Sequence, residues 1–308
     1  MNVSDPTAIY DDLTDSCAKI DRRNTRYQFD LETDIEWDRA AQPGLFFGPA
    51  ALQTLGVRLD TVSSPAAGAF QWAYAMAVCD AFHELEDMVV RFTRNENQSL
   101  GPSRSVVLLC EEEIKHMELF ARFATELRNQ RPDLATLWDR LDHRPQVLPG
   151  GDEDRAAFPD MESQHYIFWI NTLFFEEFTI FLADCLARDA GLIQPVWAQM
   201  HACHMREELQ HIPTDVVHIN SLRLSDEQRY TLSKVFFLRI ERDFDGYFGL
   251  DRAYRLVQTC EDLTALPSRP RLRGIPIFQA FLTSPHFKRS RSCAPYLARL
   301  AEEFYRSA

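Results

Sequence analysis

Several common functional motifs are missing from this chain of 308 residues. It has no Gly-x-Gly-x-x-Gly fingerprint, no phosphate-binding loop and no Gly-x-Ser-x-Gly nucleophile elbow. Its 7 cysteines are scattered and none belongs to a Cys-x-x-Cys pair. This usage argues against a disulfide framework and against a zinc finger, and it indicates reduced thiols in a cytoplasmic protein.

Basic residues are also in deficit. The chain has 33 Lys and Arg against 46 Asp and Glu, for a formal net charge of −13. Nucleic acid and anionic membrane surfaces bind clustered positive charge, so we expect neither as a partner. The first residues of the chain are polar and acidic, unlike a secretory signal, which again favours a cytoplasmic location.

Glycine is scarce, and long alternating patterns typical of β-strands are missing. With only 11 Gly, 45% hydrophobic residues and apolar positions spaced by three and four, the sequence predicts an all-α protein. One apolar stretch, Tyr166 to Ala187, is long enough to resemble a membrane span. Glu176 and Glu177 interrupt its middle, and carboxylates are costly inside a bilayer, so we interpret it as a buried helix.

The periodicity predicts a single domain built on four long helices. We place residues 1–64 in an N-terminal cap, 65–220 in a four-helix bundle core and 221–308 in a C-terminal helical extension. The predicted helices begin and end near Pro65 and Thr93, Val106 and Arg131, Met161 and Asp189, and Gln194 and His218. The segment from Asn95 to Pro102 reads as a turn, and Ser225-x-x-Gln228 has the form of a capping box that opens a further helix.

Two of these helices each carry a glutamate three residues before a histidine. The motifs are Glu113-Ile-Lys-His116 and Glu208-Leu-Gln-His211, and His204 lies one turn before the second. Residues three, four and seven apart share one face of a helix, so each set points at one spot. Both motifs lie within apolar stripes, where an unpaired carboxylate is costly, and this pattern is typical of a bundle that holds two metal ions.

The other two helices each offer a lone glutamate. In the first helix Glu84 is in phase with an apolar stripe and lies 29 residues before Glu113, whereas Glu86 is the second choice. In the third helix Glu176 and Glu177 are both available, and a regular apolar stripe favours Glu177.

The predicted metal ligands are four carboxylates and three imidazoles: Glu84, Glu113, His116, Glu177, His204, Glu208 and His211. A structural zinc site would use four tetrahedral ligands, usually including cysteine, so this set favours two iron ions, or two manganese ions. Glu112 and Glu207 each precede a predicted ligand, and we expect them to accept hydrogen bonds from the free ring nitrogens of the histidine ligands.

The order Glu…Glu-x-x-His…Glu…His-x3-Glu-x-x-His resembles the diiron arylamine N-oxygenases over roughly residues 66–220. In that family an additional histidine precedes the second motif by one turn, and His204 occupies that place. The resemblance implies a ferritin-like four-helix bundle with a diiron centre that uses O2 and an external electron donor. It implies oxidation of the amine of a small metabolite to a hydroxylamine, nitroso or nitro compound, within a biosynthetic pathway.

Two other functions are compatible with the same ligand set. A diiron centre also supports oxidation at carbon, as in a hydroxylase, desaturase or decarboxylase, and ferritin-like proteins also handle iron. The long segments outside the predicted bundle argue against an iron-storage shell. We expect a small-molecule amine, and a reductant or an electron-donor protein, as partners, and a homodimer is compatible with the chain.

Overall fold

The structure is a computed structural model of the full chain. It describes residues 27–54, 56–57, 65–100, 104–141, 157–158, 160–247, 249–260 and 276–306. Within these ranges the regular elements are helices, with one isolated parallel bridge between Leu45 and Ile193 and no β-strand. The predicted all-α class is confirmed. Residues 1–26, 55 and 58–64 of the predicted cap lie outside the described residues, as do residues 261–275 of the predicted C-terminal extension. Most of the chain between the second and third predicted helices, 142–156 and 159, lies outside them too.

Eleven α-helices are found in the described part of the chain. In chain order they are α1 (Pro49–Thr54), α2 (Pro65–Leu100), α3 (Arg104–Gln130), α4 (Pro132–Arg140), α5 (Met161–Ala187), α6 (Pro195–Ser221), α7 (Asp226–Tyr247), α8 (Leu250–Thr259), α9 (Pro276–Thr283), α10 (Arg289–Cys293) and α11 (Pro295–Arg306). A 3-10 helix, Trp37–Arg39, precedes them.

The four longest helices pack as two hairpins. Helix α2 packs along α3, α5 packs along α6, and α3 contacts α6 to join the hairpins. Local signals set the helix starts: the Asp160 side chain accepts from Ser163 N at 2.7 Å, and Pro195 opens α6 after Gln194. The predicted capping box at Ser225 and Gln228 is present, with reciprocal contacts of 2.9 and 3.3 Å.

Helix α2 is longer than its sequence suggests. It continues to Leu100, whereas the prediction ended it near Thr93 and assigned Asn95 to Pro102 to a turn. Polar composition alone does not end the helix here, because neither proline nor glycine interrupts the chain between Thr93 and Gly101. The prediction of a turn over Asn95 to Leu100 was therefore wrong.

Helix α5 lies in the interior. It is the one helix of the described residues long and apolar enough to cross a membrane, and 94% of its most apolar stretch is buried. Helices α1, α6, α7 and α10 pack against it. The apolar run is thus covered by protein, as expected for a buried helix of the core.

A second layer covers the outer side of α2. Helix α8 packs against α2 and begins after Gly249, which has a φ of 58°. A Cβ atom added to Gly249 would lie 2.4 Å from the Cβ of Ala77. This close approach requires glycine, and it means that α2 is buried on two opposite faces.

Candidate metal centre

Seven side chains from the four long helices converge in the interior. They are Glu86 on α2, Glu113 and His116 on α3, Glu176 on α5, and His204, Glu208 and His211 on α6. All seven are buried. They form two groups whose potential ligand atoms lie within 4.8 Å of one another, and Glu208 belongs to both groups.

The first group surrounds His204. Its Nε2 atom lies 3.1 Å from Glu86 Oε1 and 2.5 Å from Glu208 Oε1. The Nδ1 atom of His116 lies 3.3 Å from the same Glu208 oxygen. This group therefore presents two imidazoles and two carboxylates to one point.

The second group surrounds His211. Its Nδ1 atom lies 3.2 Å from Glu208 Oε2, 3.5 Å from Glu176 Oε1 and 3.6 Å from Glu113 Oε1. The other Glu113 oxygen lies 3.3 Å from His116 Nδ1, in the first group. Glu208 and Glu113 thus direct one oxygen to each group, which is the arrangement that a bridging carboxylate needs.

Several of these donor atoms lack hydrogen bonds. Within the described residues, both carboxylate oxygens of Glu86 and of Glu176 lack a hydrogen-bond partner. Both ring nitrogens of His204 lack one too. His204 Nε2 is close enough to two carboxylates to form ion pairs, but the angles are not those of hydrogen bonds. Glu86, Glu176 and His204 thus bring oxygen and nitrogen atoms close together without hydrogen bonds, whereas His116 contacts Glu113 and His211 contacts Glu208 at hydrogen-bond distance. The set of carboxylates and imidazoles therefore fits a pair of metal ions.

Burial and the neighbouring charges shift the pKa values of the cluster. Burial raises the pKa of Glu86 to about 7 and holds the pKa of Glu176 well above its usual range. Burial alone would lower the pKa of His116, but Glu113 and Glu207 outweigh it and raise that pKa to about 10. The four carboxylates of the cluster would balance the charge of two divalent cations.

Two further carboxylates, Glu207 and Glu112, accept hydrogen bonds from the ring nitrogens of His116 and His211 that face away from the cluster. His116 Nε2 lies 2.8 Å from Glu207 Oε2, and His211 Nε2 lies 2.8 Å from Glu112 Oε2. A carboxylate only accepts, so each Nε2 donates and each Nδ1 is left to face the cluster. The predicted hydrogen bonds are confirmed, and the structure adds that they cross: each outer glutamate comes from the opposite helix.

The N-terminal segment completes the support of Glu207. Lys115 Nζ lies 2.5 Å from Glu207 Oε1, and the backbone N–H of Phe29 donates to the same oxygen at 3.0 Å. Burial would raise the pKa of Glu207, but the hydrogen bond from His116 and the charge of Lys115 lower it overall. Glu207 therefore stays ionised as an acceptor for His116.

The first helix contributes Glu86 to the cluster, which corrects the prediction of Glu84. Glu84 is half-buried and lines a separate surface pocket. The stripe that favoured Glu84 includes Ala77, whose Cβ faces Gly249 and the second layer. The phase argument therefore selected the wrong one of two buried faces of α2.

The third helix contributes Glu176, which corrects the prediction of Glu177. The Glu177 carboxylate instead accepts hydrogen bonds from the backbone N–H groups of Lys288, Arg289 and Ser290, at 3.1, 2.5 and 2.9 Å. Helix α5 is buried on all sides, so an apolar stripe does not identify the face that meets the cluster. The stripe that favoured Glu177 lies on the face that meets the C-terminal segment. The polar stripe Thr172, Glu176 and Thr179 marks the cluster face, and this signal was available in the sequence.

One cavity in the described part of the chain adjoins the cluster, and a surface pocket lies one layer of side chains away. The internal cavity, of about 30 Å³, is lined by five of the seven donors and by apolar side chains of α2 and α5. The surface pocket, of about 420 Å³, lies between α2, α3, α4 and α8. Phe120 lines that pocket, and its ring packs against Phe82 at 4.7 Å and against His204 at 5.0 Å between centroids. One layer of aromatic rings thus separates the surface pocket from the cluster.

Comparison of the chain with protein-family models, with curated proteins and with solved structures finds no match. Function must accordingly be inferred from the donor set and its surroundings.

Proposed function

We propose that the protein is an O2-dependent diiron oxygenase that oxidises the amine nitrogen of a small metabolite in the cytoplasm. In this proposal α2, α3, α5 and α6 form a ferritin-like four-helix bundle around the metal pair. The observation that carries the proposal is the buried cluster of four carboxylates and three imidazoles, in which Glu113 and Glu208 reach both metal positions.

The donor chemistry favours iron, or manganese, over zinc. Structural zinc sites are closed tetrahedra, usually with cysteine, and the cluster contains no cysteine among its described members. Carboxylates that bridge two positions suit a pair of ions that change oxidation state together. Two iron ions supplied with electrons by an external reductant provide O2 activation, and the protein supplies geometry and exclusion of water.

The side chains around the donors are suited to that task. Glu207 and Glu112 accept hydrogen bonds from Nε2 of His116 and His211, so that Nδ1 of each ring would be the atom that binds metal. The rings of Phe82 and Phe120 pack edge-on against His204, at 5.1 and 5.0 Å. This apolar wall keeps water away from the first metal position and strengthens the electrostatic interactions within it.

His204 supports oxidation at nitrogen in particular. It adds a third imidazole beyond the two Glu-x-x-His motifs, and it lies within the first group of donors. The same additional histidine distinguishes the arylamine N-oxygenases that the sequence resembles. Oxidation at carbon is the alternative, and it is favoured by the apolar lining of the internal cavity by Leu85, Met88, Val89 and Phe175.

The first test is metal analysis of protein purified from iron-supplemented cells. We expect about two iron ions per chain, and folded protein with less than about one iron or manganese ion would contradict every metal-dependent proposal. The second test exposes the reduced protein to labelled O2 with a panel of amines and of C–H substrates. Label in an N-oxygenated product supports the proposal, whereas label only in carbon products supports the alternative.

Substitution of His204 tests its role directly. His204→Ala should lower both the metal content and N-oxygenation, while His83→Ala, which removes an exposed histidine from α2, should leave both unchanged. Unchanged metal content and turnover in His204→Ala would show that two imidazoles suffice.

A further inference from the structure

The internal cavity is defined by its size and by its walls. Its volume of about 30 Å³ holds roughly two or three water-sized molecules, since one occupies about 10–15 Å³ in the same measure. Glu86, Glu113, Glu176, His204 and Glu208 form one side of it. A diatomic or triatomic ligand fits this volume, whereas small-molecule pockets are roughly tenfold larger.

Asn171 on α5 lines the same cavity and is incompletely bonded. Its side chain is fully buried. Its Nδ2 donates to Met88 Sδ at 4.0 Å, and within the described residues its Oδ1 has no hydrogen-bond partner. A thioether is a weak acceptor, so the whole amide is poorly satisfied. Buried amides are almost always paired, and an exception calls for an explanation.

The neighbouring polar residue shows that the position of Asn171 is unusual. Thr172 also lines the cavity, but its hydroxyl donates to the backbone carbonyl of Phe168 at 3.1 Å. Thr172 is therefore satisfied by its own helix. Among the described residues that line the cavity, apart from the proposed metal ligands, Asn171 has a buried side-chain oxygen without a hydrogen-bond partner.

We propose that the Asn171 amide hydrogen-bonds a small ligand held in this cavity between itself and the metal donors. The ligand class is water, dioxygen or a compact anion of up to about three heavy atoms, as the cavity volume allows. Rotation of the amide presents either an acceptor oxygen or two N–H donors. The same side chain can therefore accept a hydrogen bond from water or donate one to dioxygen or an anion. This inference rests on the metal pair of the proposed function.

The inference also restricts the substrate. An aromatic ring does not fit into the cavity, so a substrate can direct only a terminal, unhindered group towards Asn171. A primary amine meets this requirement, because its nitrogen can take the place of the small ligand and donate an N–H to Oδ1 while its lone pair remains available. The rest of the substrate must then lie outside the cavity.

The test is azide binding to iron-loaded, oxidised protein, followed by the visible absorption that azide produces on ferric iron. Asn171→Leu has almost the same shape but no hydrogen-bonding group, and we expect it to weaken azide binding about tenfold. Thr172→Val is the matched control, since it removes a hydroxyl that is already satisfied, and it should leave azide affinity unchanged. Asn171→Gln provides a second variant that keeps the amide, and it should bind azide more tightly than Asn171→Leu.

The outcomes separate the two proposals. Equal azide affinity in wild type, Asn171→Leu and Thr172→Val, with iron content intact, would overturn the role of Asn171 and leave the metal centre standing. Equal weakening in Asn171→Leu and Thr172→Val would overturn it too, because the cavity shape would then be responsible. Wild-type protein that takes up no iron would overturn the proposed function, and the role of Asn171 with it.

Discussion

At the scale of single residues, Glu86 shows how a buried carboxylate can be retained. It lies in the interior with both oxygens free of hydrogen bonds to the described chain, and burial raises its pKa to about 7. Such a group destabilises a protein by about 1–3 kcal/mol unless it gains a partner. A bound cation would supply that partner, so the proposed metal binding would account for the unfavourable burial of Glu86.

Substitution of Glu86 should remove one metal position selectively. We expect Glu86→Ala to bind about one metal ion per chain in place of about two, because the first group loses a carboxylate while the second keeps its donors. Glu84→Ala is the control, two residues away on the same helix and outside both groups. Metal analysis of both proteins decides, and a loss of metal from Glu84→Ala alone would restore the original assignment.

We expect His218 to make the free energy of unfolding depend on pH, independently of the proposed metal ligands. Burial lowers its pKa to about 3, with a contribution from His165, and its ring stacks on Trp169 at 4.1 Å. In the unfolded chain His218 gains a proton below a pKa of about 6.5, whereas in the folded protein it stays neutral. Protonation thus favours unfolding, and the stability that neutral His218 provides is lost as the pH falls below about 6.5.

The size of this effect can be measured with a matched variant. Between about pH 7.5 and about pH 5.5 the difference amounts to about 1.4 kcal/mol for one histidine. His218→Phe keeps an aromatic ring stacked on Trp169 but has no proton to gain. As the pH falls over that interval, the free energy of unfolding of His218→Phe, measured in urea, should decrease by about 1.4 kcal/mol less than that of the wild type. Identical pH dependence of the two proteins would show that folding does not lower the pKa of His218.

At the scale of helices, the sequence predicts the cluster residues of α3 and α6 correctly, but it selects the wrong glutamate on α2 and on α5. On α3 and α6 each histidine is spaced from its glutamate by one helical turn, and this spacing identifies the donor face directly. On α2 and α5 a single glutamate must be chosen by phase, and phase is informative only when one face is buried. Because α8 covers α2 and the C-terminal helices cover α5, the phase was ambiguous there.

The contact of α8 with α2 depends on one glycine. Gly249→Ala would place a Cβ 2.4 Å from that of Ala77 and would force a left-handed conformation on alanine. We expect a loss of about 2–4 kcal/mol in the free energy of unfolding. Gly68→Ala on α2 is the control, because nothing lies within 4 Å of its added Cβ, and it should stabilise the helix by about 0.5–1 kcal/mol. Urea denaturation of the two variants distinguishes them, and equal effects would contradict the close contact.

At the scale of the whole molecule, the all-helical class could be predicted because glycine is scarce and the apolar spacing is regular. The sequence does not predict the hydrogen bonds that Glu177 accepts from the backbone of Lys288, Arg289 and Ser290. They join residues more than 100 positions apart and use no side chain of the C-terminal segment. A pattern of residue types carries no trace of such a contact.

Metal removal should affect the stability of the entire fold. The chain carries a net charge of −13, and the cluster joins carboxylates from α2, α3, α5 and α6. Without cations these carboxylates must either repel one another or take up protons. We expect a chelator to lower the melting temperature by roughly 5–15 °C, and added iron to restore it, in differential scanning calorimetry. A melting temperature that does not respond to either would argue that the cluster is a metal-free polar network.

The crossed hydrogen bonds between α3 and α6 reveal an approximate twofold symmetry, since both helices carry Glu-Glu-x-x-His and each supports the histidine of the other. His204 breaks that symmetry, because the equivalent place on α3, four residues before Glu113, is occupied by the buried Leu109. The two metal ions would consequently be inequivalent, one with two imidazoles and the other with one. If the proposed iron ions occupied both positions, the unequal numbers of imidazoles would give them two distinct reduction potentials.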